Sequence, residues 1–169
     1  MAFGINSHTG YFSTYEQKDC FSIALLNALK TKRELSLEEA IRIYFYYEER
    51  DNIHKFGLWP LTAMIEEATK GEFKGKVLWN GDKPETPQGF ENNIAYGFLY
   101  SGGIYITRLP QLVLNGQTTT IIGNLHAMAY TSYNKKRKLI NLVDDHGIET
   151  GYPEGHQPPL YWGIELKTR

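Results

Sequence analysis

The chain of 169 residues has a single cysteine, Cys20, so no internal disulfide can form and nothing indicates an oxidising compartment. It also lacks any run near ~18 apolar residues, so we expect no membrane-spanning helix. The net charge of -1 argues against a nucleic-acid partner, which would need a clustered positive surface. Residues 1–10 have neither the charged nor the apolar region of a signal peptide, so we expect a cytoplasmic protein unless another export route is used.

A chain of this length can bury a full core without disulfides and fits one domain, which we take as residues 1–169. Aromatic residues are abundant, with 12 tyrosines, and fill either a core or a substrate groove. The basic run 135–138 stands between two apolar segments. We interpret it as a solvated hairpin turn rather than a phosphate site.

The first half of the chain has the periodicity of helices. Residues 21–29 are apolar nearly all round, which is typical of a helix in the middle of a domain, and they predict a helix from about Cys20 to Lys30. Ser36 and Glu39 have the spacing of a capping box and predict a second, amphipathic helix that ends near residues 50–52. A third helical pattern covers residues 61–68. The N-terminal segment before the first helix is expected to be irregular.

From Phe73 onward the pattern changes to that of strands. Residues 73–79 predict a short strand, 80–89 a loop and 90–100 a short helix. A helical first half followed by an antiparallel second half predicts the α+β class. Five further runs of β-branched or aromatic residues predict strands: 104–107, 118–122, 126–133, 139–143 and 160–166. Two of these strands form a hairpin over 131–142.

Cys20 stands where a polar segment changes into the apolar helix. The unpaired amides and positive dipole of a helix start stabilise a thiolate, so we expect a lowered thiol pKa and a candidate nucleophile. The alternative is a small apolar core residue, which is what most single cysteines are.

A cysteine nucleophile needs a base, and the base needs a group that orients its ring. His126 begins a strand, and the next strand of the hairpin ends at Asp144-Asp145. In an antiparallel hairpin these two ends lie side by side, so one of the aspartates should reach His126. We favour Asp144 as the orienting group, with Asp145 as the alternative. A plain turn at Asp144-Asp145 is the other interpretation, and the sequence shows no metal-ligand spacing there.

Asp19-Cys20 at a helix start, the segment His126-Ala127-Met128-Ala129-Tyr130 and a strand ending in Asp144-Asp145 together resemble the papain-like cysteine peptidases. Within them the chain is most similar to the small bacterial peptidases that trim double-glycine leader peptides. The resemblance covers roughly residues 11–147. It implies a papain-like fold, a helical lobe packed on an antiparallel sheet, and a Cys20, His126, Asp144 triad without cofactor or metal.

The chain departs from the family at two positions. Phe21 follows the cysteine where the family usually has glycine, and Thr14 stands six residues before it, where the family has its oxyanion-hole glutamine. Gln17, three residues before Cys20, is the side-chain amide that we assign to the oxyanion hole, together with the Cys20 backbone N–H.

These residues predict a thiol-dependent peptidase or amidase that cleaves a peptide or isopeptide bond through a thioester, with a peptide or protein as substrate. Two alternatives stay open: a catalytically silent module that binds a peptide or protein, and an acyl transferase or deamidase on the same scaffold. The substrate's sequence and the oligomeric state are not predicted.

Overall fold

The computed structural model describes residues 2–16, 19–50, 58–85, 96–101, 112–114, 117–119, 125–153, 156 and 160–168. Within these residues, two short strands come first, three helices follow, and the remaining strands come after the helices. The elements are β1 (Phe3–Ile5), β2 (Phe12–Thr14), α1 (Cys20–Lys32), α2 (Leu37–Glu48), α3 (Leu58–Ala68), β3 (Phe73–Glu85), β4 (Tyr96–Ser101), β5 (Leu112–Leu114), β6 (Gln117–Thr119), β7 (Leu125–Asn134), β8 (Leu139–Val143), β9 (Glu149–Pro153) and β10 (Leu160–Thr168).

A six-stranded sheet has the order β3-β10-β4-β7-β8-β9, and every neighbouring pair is antiparallel. The pairs β1-β2 and β5-β6 form two-stranded sheets of their own. Helix α1 packs on β7 and also contacts β2, β4 and α2. The predicted α+β class is therefore confirmed.

Helix α1 is the centre of the core. Its residues 22–29 are all buried, as expected for a helix that is apolar nearly all round. The predicted start at Cys20 is confirmed, and the helix continues two residues beyond the predicted end, to Lys32. Its core neighbours include Phe3 and Phe12 from the N-terminal strands, which the sequence pattern did not predict.

Asn27 is one of two polar residues, with Ser22, in the buried part of α1. Its side-chain Oδ1 accepts the Phe12 backbone N–H at 2.7 Å, and its Nδ2 donates to the Phe12 carbonyl at 3.1 Å. Both residues are almost fully buried. A buried amide is stable only when it is paired, so this double bond fixes β2 against the helix.

The second and third helices are confirmed with shifted ends. The Ser36 hydroxyl accepts the Glu39 backbone N–H at 3.1 Å, as the capping box predicts. Helix α2 then ends at Glu48, slightly before the predicted end. Helix α3 begins at Leu58 and ends at Ala68, and Gly71 follows with a φ of 82°, the left-handed conformation that favours glycine after a helix.

The predicted loop at 80–89 is wrong for residues 80–85, which continue β3. Strand β10 pairs along β3 as far as Leu160 opposite Glu85, with a register shift between Leu160 and Trp162. Strand β3 is at the edge of the sheet, where a proline such as Pro84 removes no ladder bond on the open side. Local turn residues are therefore overridden by a partner strand about 80 residues away in sequence.

The predicted short helix at 90–100 is wrong for residues 96–100, which belong to β4. This strand lies between β10 and β7, so ladders on both sides stabilise the extended backbone. Tyr96, Phe98 and Tyr100 also have high strand propensity. Residues 90–95 lie outside the described residues, as does the predicted strand at 104–107. Of the predicted strand 118–122, residues 118–119 belong to β6 and the rest are outside.

The hairpin of β7 and β8 is confirmed. Strand β8 covers the predicted 139–143, and β7 extends the predicted 126–133 by one residue at each end. The turn 135–138 is exposed; Asn134 accepts the Arg137 backbone N–H at 3.0 Å, and Lys138 has a φ of 54°. The basic run is thus a solvated turn, as expected.

Candidate active site

Cys20 lies at the seam between α1 and β7. Its Sγ accepts a hydrogen bond from the backbone N–H of Ala127, with an N–S distance of 3.4 Å. The cysteine is only partly buried, whereas residues 22–29 of α1 are buried. The sulfur is therefore held at the edge of the core and not inside it.

His126 immediately precedes the amide that contacts the sulfur. Its backbone lies in β7, opposite Tyr100 of β4. Covalent geometry places the Cα of residue 126 about 2.4 Å from the Ala127 nitrogen, so it is within about 6 Å of the Cys20 Sγ. The side chain of His126 lies outside the described part of the chain.

The expected lowering of the Cys20 pKa is wrong for the surroundings that the structure describes. Burial raises the pKa of the thiol to about 11, and the charges of Asp145 and Asp19 add to this increase. The N–H groups of Ala127 and Phe21 act in the opposite direction but do not outweigh burial. At neutral pH only about one thiol in 10⁴ would then be ionised, so the helix start alone does not make Cys20 a nucleophile.

Asp144 and Asp145 follow β8 in a tight turn, and they have different environments. The Oδ1 of Asp144 accepts the backbone N–H groups of His146 at 2.8 Å and Ile148 at 3.0 Å. Carboxylates that bond amides two and four residues onward are typical turn formers. Asp144 thus has the turn-forming role that the sequence left open.

Of the two aspartates in this turn, Asp145 is the one whose charge raises the pKa of the Cys20 thiol. Its backbone carbonyl accepts the Thr14 N–H at 2.8 Å, which joins the turn to β2. Its Oδ1 is 4.0 Å from Nε2 of the exposed His146. The residue therefore stands on the side of the turn that faces the N-terminal strands and Cys20.

Asp19, the residue before Cys20, is almost fully buried. Its Oδ2 accepts two hydroxyl donors, Thr14 Oγ1 at 2.5 Å and Tyr44 Oη at 2.7 Å. Its Oδ1 has no hydrogen-bond partner among the residues that the structure describes. Sequence reasoning singled out Asp19 only as part of the Asp-Cys pair and assigned no role to Thr14. Nothing in the local pattern indicated their contact.

A further carboxyl group, Glu48 at the end of α2, belongs to the same region. Its Oε1 accepts a 2.5 Å hydrogen bond from the hydroxyl of the buried Ser22. Burial raises the pKa of Glu48, and the charges of Asp19 and Glu16 act in the same direction. The start of α1 therefore lies in a negative electrostatic environment, which disfavours a free thiolate.

The remaining sequence candidates are simpler to place. Gln17 lies outside the described residues. Of the other histidines, His8, His146 and His156 are exposed, and His54 is outside the described part. Across the described ranges no three histidine, cysteine or acidic residues are grouped so that they could hold a metal ion. None of the helices in those ranges is long and apolar enough to cross a membrane.

A small apolar cavity separates α1 from the sheet next to the site. Its volume is about 10 Å³, and Ala24, Ala28 and Ala127 are among the residues that line it. This is about the space of one water molecule, and the lining is apolar. The cavity is therefore a gap in packing under the seam and not a substrate pocket.

Comparisons of the chain with protein-family models, with curated proteins and with solved structures found no match. The resemblance to papain-like peptidases therefore remains an expectation from the sequence motifs alone.

Proposed function

We propose that the protein is a thiol-dependent peptidase or amidase of papain-like fold, with Cys20 as nucleophile and His126 as general base. The observation that carries the proposal is the 3.4 Å contact between Cys20 Sγ and the Ala127 amide, which brings residue 126 to the sulfur. Two residues that are 106 positions apart in the sequence thereby meet where a helix start faces a strand start.

The raised pKa of Cys20 determines which role the histidine must have. A neutral thiol attacks a carbonyl only if a base removes its proton during the attack. In the proposed reaction Cys20 Sγ bonds to the carbonyl carbon of the substrate while the proton moves to His126. The amine then leaves with that proton, and water hydrolyses the thioester and regenerates the thiol.

In this proposal Asp145 orients His126, in place of Asp144, which the sequence favoured. Asp144 uses its Oδ1 for two backbone amides of its own turn. Asp145 is close enough to Cys20 for its charge to act on the thiol. A carboxylate there would also stabilise an imidazolium formed next to the sulfur.

The oxyanion hole is proposed to use the Cys20 backbone N–H and Gln17. The first amides of a helix have no intrahelical acceptor and point out of its N-terminus. Thr14, at the position of the family's glutamine, is unsuited to the role because its hydroxyl donates inward to Asp19 Oδ2. The side-chain donor must then come from another residue, and Gln17 is the nearest amide in sequence.

The test is the rate at which iodoacetamide alkylates Cys20 between pH 6 and pH 10, in wild type and in His126→Ala. Because the chain has one cysteine, intact mass reports this reaction without ambiguity. We expect wild type to react at pH 7 at least about a hundredfold faster than His126→Ala, since only wild type has a base at the thiol. Because burial raises the pKa of the Cys20 thiol and the variant keeps that burial without the base, the variant should gain reactivity only at high pH.

His156→Ala is the matched control, because it removes an exposed histidine and should leave the alkylation profile unchanged. Identical profiles for wild type and His126→Ala would contradict the proposal. The substrate can then be sought by incubating Cys20→Ala with cell extract and identifying what remains bound.

A catalytically silent binding module is the second candidate, and the raised pKa of Cys20 is the observation that favours it. In such a module the protein would bind a peptide segment in the seam. It would not cut the segment, because a neutral, partly buried thiol without a base does not attack the peptide bond. The same alkylation profiles separate the two candidates, because a silent module predicts slow alkylation of wild type at pH 7.

A further inference from the structure

The N-terminal strands contact both halves of the candidate site. On one side, Asn27 of α1 holds the backbone of Phe12 through two hydrogen bonds. On the other side, the Thr14 backbone N–H donates to the carbonyl of Asp145 at 2.8 Å. Strand β2 is therefore a bridge between the helix that begins with Cys20 and the turn that contains Asp145.

Thr14 contacts both sides of this bridge, because its backbone N–H bonds the turn and its hydroxyl bonds the residue before α1. Its Oγ1 donates to Asp19 Oδ2 at 2.5 Å and accepts the Glu16 backbone N–H at 2.8 Å. The residue is 5% exposed, so these bonds form away from water. One residue thus joins the neighbour of Cys20 to Asp145.

We propose that Thr14 is a positioning residue, which sets the distance between Cys20 and Asp145 by holding Asp19 with its hydroxyl and the Asp145 carbonyl with its amide. This role rests on the proposed function, since it matters only if Asp145 acts on the base of Cys20.

The two residues that Thr14 holds, Asp19 and Asp145, are at positions where a displacement would change the geometry of the site. Asp19 precedes α1, and its carbonyl accepts the Ile23 N–H at 3.1 Å, so a shift of Asp19 shifts the first helical turn. Asp145 lies in a turn after the end of β8, where ladder bonds no longer hold it. Its position therefore depends on contacts from outside the sheet, and Thr14 provides one of them.

Neighbouring contacts support the same connection. Asn6 Nδ2 donates to the His146 carbonyl at 3.1 Å, and Thr9 Oγ1 donates to the Gly147 carbonyl at 2.7 Å. Gly147 has a φ of 72°, and a Cβ there would lie 3.0 Å from the Phe12 carbonyl oxygen. The turn is thus packed directly against the N-terminal strands, without space for a side chain at this position.

The experiment compares Thr14→Val with Thr14→Ser. Valine keeps the shape and the backbone N–H but removes the hydroxyl that holds Asp19; serine keeps the hydroxyl. We measure the alkylation rate of Cys20 from pH 6 to pH 10 and the urea midpoint of each variant. We expect Thr14→Val to react at least about tenfold more slowly than wild type at pH 7, and Thr14→Ser to restore most of the rate.

Two controls separate positioning from general destabilisation. Thr69→Val removes another buried hydroxyl, which bonds the Ile65 carbonyl and the Phe73 N–H away from the site. Tyr44→Phe removes the other donor to Asp19 Oδ2 but leaves the link through Thr14 intact. Both should lower the urea midpoint while keeping the wild-type alkylation profile.

The proposal is overturned if Thr14→Val keeps the wild-type profile, or if Thr69→Val or Tyr44→Phe slows alkylation as much as Thr14→Val does. These outcomes are distinct from failure of the proposed function, which is identified by equal profiles for wild type and His126→Ala. If wild type differs from His126→Ala but Thr14→Val matches wild type, the peptidase proposal stands and the positioning role does not.

Discussion

Replacing Asn27 by leucine tests how strongly β2 is fixed to α1. Leucine has a similar size, but it removes both partners of the Phe12 backbone, the acceptor at 2.7 Å and the donor at 3.1 Å. Asn27 is 0% exposed and Phe12 is 2% exposed, so water does not replace the lost bonds. Two backbone groups are then left buried without their partners.

The magnitude follows from these two groups. Each buried polar group that loses its partner costs about 1–3 kcal/mol, and the added apolar side chain recovers part of the sum. We expect Asn27→Leu to lower the free energy of unfolding by about 2–4 kcal/mol. For a domain of this size the melting temperature should fall by about 4–16 °C.

Urea unfolding followed by circular dichroism measures the loss, with Leu29→Met as the matched control. Leu29 is equally buried in the same helix, but methionine conserves its volume and should cost less than about 1.5 kcal/mol. Amide hydrogen exchange gives a local measure, because the Phe12 N–H should be protected in wild type and exchange quickly in the variant. A loss below about 1 kcal/mol with continued protection of Phe12 would refute the reasoning.

Two predictions concern charged groups. Arg33 bonds Glu39 and Glu72 at 2.6 Å each, and these partly exposed pairs lower the pKa of both carboxyl groups. Arg33→Gln should therefore cost about 0.5–1 kcal/mol at pH 7, and urea unfolding should show this cost disappearing below about pH 4 and shrinking in 1 M salt. An effect that is the same at pH 3 and pH 7 would contradict this. Burial raises the pKa of Glu48, so its folded-state value exceeds its unfolded value and its contribution to stability is lost as pH rises through the folded pKa. Wild type should become less stable relative to Glu48→Gln as pH rises above about 4, and a constant difference in urea unfolding would contradict the assignment.

The parts of the fold that were predicted correctly depend on residues close together in the sequence. The buried helix from Cys20, the capping box at Ser36 and the hairpin around residues 135–138 each follow from a pattern of a few residues. The strand at 96–101 was missed because its conformation is stabilised by β7 and β10, which come later in the chain. Strands β1, β2 and β9 were not predicted either, since runs of three to five residues have too little periodicity.

The candidate site also has features that the sequence predicted and features that only the structure showed. The sequence alone determined that the single cysteine begins a buried helix and that residue 126 begins a strand near an aspartate pair, because periodicity and chain order are local properties. Only the tertiary structure decided that burial raises the thiol pKa, that Asp144 serves its own turn, and that Thr14 joins Asp19 to Asp145. The physical reason is that desolvation, charge interactions and hydrogen bonds depend on distances between groups that meet only after folding.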